Sequence, residues 1–367
     1  MMLAIVCDRW DEKGGGCEQY LAGLVSHLAS LGIRTDVHAL RVNTPVNKSS
    51  MFRVFETGDL SFSADTVLTT RPFANATHYQ LHSGLYTSSF EAERESFQSP
   101  TRRLLYPLAQ YFNGKRQRLM REQDRLLKGP ERPEVMVFSH LTAMDLQGCY
   151  RIDPKEMQIN PHGVDLTRFF PSTDTRFPNT KRERKHNGAK TDFLFVAHNF
   201  QLKGLHCLFQ AISSLRKKNT NISLQVVGAG PVKQFERLAE KLGIRSQLHF
   251  LGYVSRDHMP WLYQDSIALI HPTFYDPCSL VVLEALACGC PVVTTRKNGA
   301  AELIKSGREG FVLDDPRNME VLCHTLCALQ DPHNAQEMSR YAIELAPRLD
   351  IRRHMKIIMK WLGSLQE

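Results

Sequence analysis

The sequence predicts an α/β protein of two domains, each with its own doubly wound, largely parallel sheet, facing each other across a cleft. Three observations carry that reading. The chain has 367 residues, enough for two domains of ordinary size. Short apolar runs rich in Val, Leu, Ile and Phe alternate with amphipathic helical stretches in both halves. A polar, Pro-containing interval from about Pro161 to Lys190 interrupts this alternation and reads as a hinge or linker. Apolar residues make up 42% of the chain, so each half can bury a core and wholesale disorder is excluded.

The N-terminal half, 1–165, opens with the apolar strand Leu3 to Cys7. A loop from Asp8 to Gly16 follows, ending in Gly14-Gly15-Gly16. Glu18 to Leu31 has helical spacing, with Leu21, Leu24, Val25, Leu28 and Leu31 on one face and Gly32 as the stop. Arg34 to Leu40 is the next strand. Strand, helix and strand in such close order require a crossover and therefore parallel pairing. The stretch 42–80 has no clear period and stays unassigned; Val135 to Ser139 reads as a later strand of the same half. The linker proper is assigned to 166–190, including the polar run Lys181 to Gly188.

The second half, 191–347, alternates more cleanly. Its predicted elements are strand Phe193–Ala197, helix Leu205–Lys217, strand Ile222–Val227 before Gly228-Ala229-Gly230, and helix Val232–Leu242 before Gly243. Then come strand Leu248–Leu251, short helix His258–Tyr263, strand Ile267–His271, helix Leu280–Ala287 and strand Pro291–Thr294. The C-terminal segment, 348–367, carries a basic, partly apolar helix from Ile351 to Leu365.

Charge and cysteine usage bound the partners. The net charge is +8. Between Arg102 and Arg132 stand nine Lys or Arg, interleaved with Leu104, Leu105, Tyr106, Leu108, Tyr111, Phe112, Leu119, Met120, Leu126 and Leu127. This predicts one or two basic amphipathic helices. Two readings stay open: a solvated face over a packed apolar face, or attraction to an anionic membrane surface or acceptor. No base-reading motif accompanies the charge, which disfavours nucleic acid. The nine cysteines lack framework or zinc spacing and read as small buried hydrophobes in a reducing cytoplasm. No run approaches the roughly 18 apolar residues of a membrane span. Met1 to Asp8 has no basic leader or cleavage site, so it is read as a first strand rather than a signal peptide.

The richest stretch is Asp276 to Pro291. It places Asp276 in a loop and Glu284 on the second turn of a helix, eight positions apart. Ser279 stands where a cap would. Backbone N–H groups at the helix start are available to an anion. Two hydroxyl-binding acids around an anion-binding helix end fit a sugar attached to a diphosphate. Glu284 lies in an otherwise apolar run, so its carboxylate needs partners: ribose or sugar hydroxyls, an internal ion pair, or a neighbouring backbone N–H. Lys203-Gly204 opens a helix, where a lysine opposes the dipole and suggests a phosphate. Gly14 to Gly16, His198, Lys203, Gly228, Gly252, His271 and Asp276 all fall near carboxyl ends of predicted strands, where open α/β sheets bind ligands. His82, in Leu81-His82-Ser83-Gly84, is a candidate for the reacting centre.

With these residues in hand, the chain resembles the family-4 retaining glycosyltransferases of GT-B architecture, most strongly from about Asn160 to Gly310. Within them it looks most like the lipopolysaccharide core glucosyltransferase I type, through Phe90-Glu91-Ala92-Glu93-Arg94 and the basic region after it. The family's E-x7-E motif matches Asp276 to Glu284, with Asp in place of the first Glu. Its Lys-Gly element matches Lys203-Gly204, its hinge pattern Pro161-His162-Gly163-Val164-Asp165, and its glycine-rich loop Gly14 to Gly16. The family's Arg five positions before the Lys is His198 here.

The resemblance implies roles. Glu284 would hold the ribose and Asp276 the donor sugar. Lys203 and the N–H groups of Cys278, Ser279 and Leu280 would bind the diphosphate, with Gly15 and Gly16 approaching from the other side. His198 and Gly228 join the donor-binding set, and His82 takes the place of a histidine near the donor sugar. The acceptor, a saccharide or glycolipid, would bind the N-terminal domain, and the last helix would cross back to that domain. The implied reaction is metal-independent transfer of a hexose, with glucose from UDP-glucose expected, and no cofactor. The expected location is cytoplasmic, and the charge pattern of 102–132 raises the reading of a peripheral place on the inner face of the cytoplasmic membrane. Two alternatives share the donor residues: a GT-B sugar-nucleotide epimerase or hydrolase, and a catalytically silent nucleotide-sugar-binding module.

Overall fold

The alternation of apolar strands and amphipathic helices becomes two separate sheets, and among the described residues every paired strand runs parallel to its neighbour. The computed structural model describes residues 3–11, 14–43, 51–56, 64–171 and 192–363. The chain divides into two units: Met1–Glu91, Ser99–Pro161 and His354–Glu367 form unit 1, and Ala92–Gln98 with His162–Arg353 form unit 2.

Unit 1 runs β1 (Leu3–Cys7), α1 (Gly16–Ser30), β2 (Thr35–Ala39), β3 (Phe52–Glu56), β4 (Thr66–Thr69), β5 (His78–Gln80), α2 (Tyr86–Ser96, its last turns in unit 2), α3 (Pro100–Tyr111), α4 (Gly114–Lys128), β6 (Glu134–Val137), α5 (His140–Tyr150) and β7 (Met157–Ile159). The strand order is β3-β2-β1-β4-β5-β6-β7. Every residue of β1 is buried, which its Leu-Ala-Ile-Val-Cys sequence requires of a strand covered on both faces. Leu3 pairs with Thr35 on one side and Thr66 on the other, so the order reverses at β1 and leaves a switch point beyond its carboxyl end. α1 packs Tyr20, Leu21, Leu24, Val25 and Leu28, the predicted stripe.

The unassigned stretch 42–80 supplies β3, β4 and β5. The strand predicted over 135–139 stops at Val137, because Ser139 turns out of the sheet and its hydroxyl caps α5 at Thr142 N. The basic region forms two helices, and only α4 packs in the expected way, through Gln123, Leu126 and Leu127. On α3 only Tyr106 is buried, while Leu104 and Phe112 are each 77% exposed and Leu105, Leu108 and Tyr111 are also exposed. The packed-face reading therefore fails for α3.

Unit 2 runs β8 (Asp192–Val196), α6 (Leu205–Lys217), β9 (Ser223–Val227), α7 (Val232–Leu242), β10 (Leu248–Gly252), α8 (Met259–Asp265), β11 (Leu269–His271), α9 (Leu280–Ala287), β12 (Val292–Thr295), β13 (Gly310–Leu313), α10 (Met319–Gln330) and α11 (Pro332–Leu345). Its strand order is β10-β9-β8-β11-β12-β13, with the reversal between β8 and β11. Phe193, Phe195, Leu208, Phe209, Ile212 and Leu224 lie in one core between sheet and helices. Ala92 joins Leu202, Cys207, Phe274 and Tyr275 in a smaller cluster. The predicted linker 166–190 lies outside the described residues from 172 on. At its start Phe169 is fully buried, with its ring 6.3 Å from that of Tyr263. The last helix, α12, is Ile351–Trp361; the end of its predicted range, 364–365, lies outside the described residues. The chain re-enters unit 1 along it, at His354. No helix among the described residues is long and apolar enough to cross a membrane.

Candidate functional site

Gly15, Gly16 and His82 belong to unit 1, and the other candidates to unit 2. In unit 2 the fold brings Lys203, His271, Asp276 and Ser279 together at the carboxyl end of the sheet. His271 is the last residue of β11, and the segment from Pro272 to Ser279 leads into α9. Lys203 Nζ donates to Asp276 Oδ2 at 2.7 Å and to the Tyr275 carbonyl at 2.9 Å. His271 Nε2 lies 3.6 Å from the same carboxylate oxygen and 3.4 Å from Ser279 Oγ. Burial would push the Asp276 carboxyl up, but Lys203 and His271 beside it hold it well below the usual carboxylate range. Burial pushes His271 down, so it is neutral at pH 7.

The backbone fixes this arrangement. Gly204, the cap of α6, has φ +77, and a Cβ there would sit 2.1 Å from the Pro272 carbonyl oxygen. Only glycine lets the start of α6 approach the segment carrying Asp276 so closely. Asp276 is held from its other side by a bridge to Asn298: Asp276 N donates to Lys297 O at 2.9 Å, and Gly299 N to Asp276 O at 2.8 Å.

The helix start differs from expectation in one respect. Ser279 caps nothing with its side chain, and its own N–H is taken by Asn298 Oδ1 at 3.2 Å. The Cys278 thiol is buried and pushed up to about 12, so it is not a thiolate. The N–H groups of Leu280 and Val281 remain, and helix geometry gives them no intrahelical acceptor. From 268 to 295 every residue is buried except Asp276, Leu280 and Val281, which are half-buried. The surface therefore opens on one carboxylate with its lysine and on a helix N-terminus, a combination suited to a ligand carrying both hydroxyls and an anion.

Glu284 finds its partners inside the protein. Arg256 Nη2 lies 3.3 Å from Oε1, and the Tyr263 hydroxyl donates to Oε2 at 3.1 Å. Burial raises its carboxyl above the usual range, opposed by Arg256 and Tyr263. Arg256 lies over the Phe169 ring at 5.4 Å. Of the sequence alternatives, the internal ion pair is therefore present. Neither Arg256 nor Tyr263 was legible beforehand, since both are ordinary residues of a loop and a short helix.

The remaining candidates are dispersed. His198 follows β8 and is exposed. Gly228 follows β9 with φ +131, and a Cβ there would lie 1.7 Å from the Ala197 carbonyl oxygen, so the close approach of the chain just past β9 to the chain just past β8 demands glycine. In unit 1, Gly15 caps α1 at φ −74, a conformation open to any residue, and Gly16 begins the helix. His82 follows β5, packed between the rings of Tyr20 at 4.4 Å and Phe138 at 4.5 Å. Also in unit 1, Arg71 is buried beside Asp8 at 3.1 Å and Glu122 at 3.4 Å, a cluster the sequence did not reveal. No group of three or more His, Cys, Asp or Glu among the described residues is arranged to hold a metal ion.

Residues 176–345 match the family described as "Glycosyl transferases group 1". The lipopolysaccharide glucosyltransferase WaaG of Escherichia coli (strain K12) is 32% identical over 198 residues, 53% of this chain and 52% of that protein. The chain spans about half the length of the curated relatives it matches. Among solved structures, that of WaaG, a glycosyltransferase involved in lipopolysaccharide biosynthesis, superposes with a TM-score of 0.80 at 22% identity, covering 99% of this chain and 100% of that one. Anabaena HepE in complex with UDP-glucose gives 0.70 at 18%, covering 99% and 100%. The two parallel-sheet domains are thus those of the GT-B fold.

Proposed function

We propose that this chain, which carries a group 1 glycosyltransferase domain over residues 176–345, is a retaining hexosyltransferase. In this reading it moves glucose from UDP-glucose to a hydroxyl of a saccharide or glycolipid acceptor of the lipopolysaccharide-core kind. The observation that carries the reading is the Lys203–Asp276 pair beside the open start of α9. The relative named as a lipopolysaccharide glucosyltransferase supports the acceptor class, and the neighbour bound to UDP-glucose supports the donor.

The chemistry follows from charge. Breaking the anomeric C–O bond builds negative charge on the departing diphosphate. Lys203 and the N–H groups of Leu280 and Val281 are set before reaction to receive it. Asp276, kept ionised by Lys203, accepts hydrogen bonds from hydroxyls of the donor sugar, while Glu284, braced by Arg256 and Tyr263, does the same for the ribose. For His82 the reading keeps the donor-sugar role that the resemblance implies. In the retaining course the acceptor attacks on the face the diphosphate leaves, and the diphosphate takes its proton. This reading uses no metal and no cofactor. Calorimetric titration with UDP, ADP and GDP in chelator tests it: UDP is expected to bind and the others to bind at least tenfold more weakly. Absence of binding by all three in folded protein would leave the donor reading without support.

The exposed apolar residues of α3 and the flanking Arg102, Arg103, Lys115 and Arg118 support a further part of the reading, docking on an anionic membrane surface. Sedimentation with vesicles rich in anionic lipid at low salt is expected to carry the protein down. Replacing Leu104, Leu108 and Phe112 by Ser is expected to abolish this without changing nucleotide affinity. Equal sedimentation of the variant would remove α3 from the docking face.

A further inference from the structure

His82 sits at one end of a buried hydrogen-bonded chain within unit 1 whose other members have no part in the proposed reaction. At the other end is His354, the residue at which the polypeptide re-enters this unit. Its Nδ1 lies 2.8 Å from the carbonyl oxygen of Pro161, the residue at which the polypeptide leaves it. Asn160 Nδ2 donates to the His354 carbonyl at 3.2 Å, so the two crossings are tied together here. His354 Nε2 lies 3.2 Å from the Tyr20 hydroxyl, that oxygen lies 3.2 Å from Gln80 Nε2, and Gln80 Oε1 lies 3.2 Å from His82 Nε2. Gln80 is fully buried, and Tyr20 and His354 nearly so.

Donor and acceptor roles along this chain follow from one fixed point. A carbonyl can only accept, so His354 Nδ1 carries a proton. Burial pushes His354 down to about 4 and, with His354 nearby, pushes His82 down to about 3, so both rings are neutral at pH 7. A neutral His354 protonated on Nδ1 has an acceptor at Nε2, and the Tyr20 hydroxyl must donate to it. That hydroxyl has one proton, so its oxygen accepts from Gln80, which fixes the amide group of Gln80 toward Tyr20 and its carbonyl toward His82. His82 Nε2 must then be N–H.

We infer that Tyr20, Gln80 and His354 are positioning residues for His82: together they hold its imidazole as the Nε2–H tautomer, with Nδ1 as its acceptor atom. A neutral histidine so held can only accept at Nδ1, which on the donor reading of His82 suits it to a hydroxyl rather than to an oxyanion. The pinning of the Pro161 and His354 crossings thereby sets the electronic state of a residue far away in sequence.

The test is nitrogen-15 spectroscopy of the full chain, where protonated and unprotonated ring nitrogens are well separated. The expected wild-type pattern is protonated Nε2 on His82 and protonated Nδ1 on His354. Tyr20→Phe and His354→Asn, the latter keeping the bond to Pro161 but losing Tyr20, are expected to give His82 a mixed tautomer. His354→Gln, which restores an acceptor for Tyr20, is expected to return the single pattern. Turnover of a sugar nucleotide is expected to follow the same order, falling by up to about 10²-fold in the first two and recovering in the third. Protonated Nδ1 on wild-type His82, or an unchanged His82 pattern in both Tyr20→Phe and His354→Asn, overturns the inference. The expected tautomers in a wild-type protein that turns over no donor would uphold the positioning and sink the transferase reading instead.

Discussion

Replacing Lys203 by Ala is expected to lower transfer turnover by about 10²–10³-fold, the usual loss when one preorganised donor to a developing oxyanion is removed. It is also expected to lower stability by about 3 kcal/mol, because the half-buried Asp276 carboxylate is left without its cation. The two effects separate by pH. In the wild type the Asp276 carboxyl lies below its unfolded value of about 3.9. It therefore contributes stability above that pH, which is lost as pH falls through the depressed folded value. In Lys203→Ala the ammonium no longer opposes burial and His271 is the lowering partner that remains, so the folded value of the carboxyl rises and the charged form is penalised at pH 7 relative to the wild type. That penalty fades as the group takes up its proton. The stability gap between the two proteins, measured by urea unfolding, is thus widest at pH 7 and narrows toward pH 4. A gap independent of pH would mean that the Lys203–Asp276 pair is not what holds this loop.

The same pair shows what the sequence could and could not reveal. Lys203 was conspicuous because a cation at a helix start opposes the dipole, and Asp276 because it precedes a helix with a buried acid. Their bond spans 73 positions, and nothing local announces it. Glu284 was legible as an acid in need of partners, but Arg256 and Tyr263 reach it only after α8 has folded against α9. His82 stood out as a histidine in a turn, whereas its relay to His354 joins segments 272 positions apart and depends on the last helix returning to the first unit.

The fold divides along similar lines. Strands such as β1 and β8 are continuous apolar runs because helices cover both faces, and that pattern survives in the sequence. β3 is an edge strand with no fully buried residue, and β5 and β7 are three residues each, too short for a period to emerge. Helical spacing likewise revealed α3 and its apolar face, but a period says which residues share a face and not what covers it. The exposed Leu104, Leu105 and Leu108 are the result.

The largest loss of stability is expected from Gly204→Ala. Two penalties meet there. A residue with a Cβ at φ +77 costs about 1–2 kcal/mol. Its Cβ would also lie 2.1 Å from the Pro272 carbonyl oxygen, a backbone atom that cannot swing aside like the end of a side chain. Either α6 or the segment after β11 must move, and both are anchored in the buried core of unit 2. The total is expected to exceed about 4 kcal/mol. Gly307→Ala is the control, because Gly307 has φ +88 but nothing within 4 Å of where its Cβ would stand. It carries the conformational penalty alone and is expected to cost about 1–2 kcal/mol. If Gly204→Ala costs no more than Gly307→Ala, the close approach of α6 to Pro272 does not hold the site together. If it folds at a larger cost, the displacement falls on Lys203, its neighbour in the chain, and UDP affinity is expected to fall with stability. The glycine of the Lys-Gly pair then acts by allowing the backbone close enough for the lysine to reach Asp276.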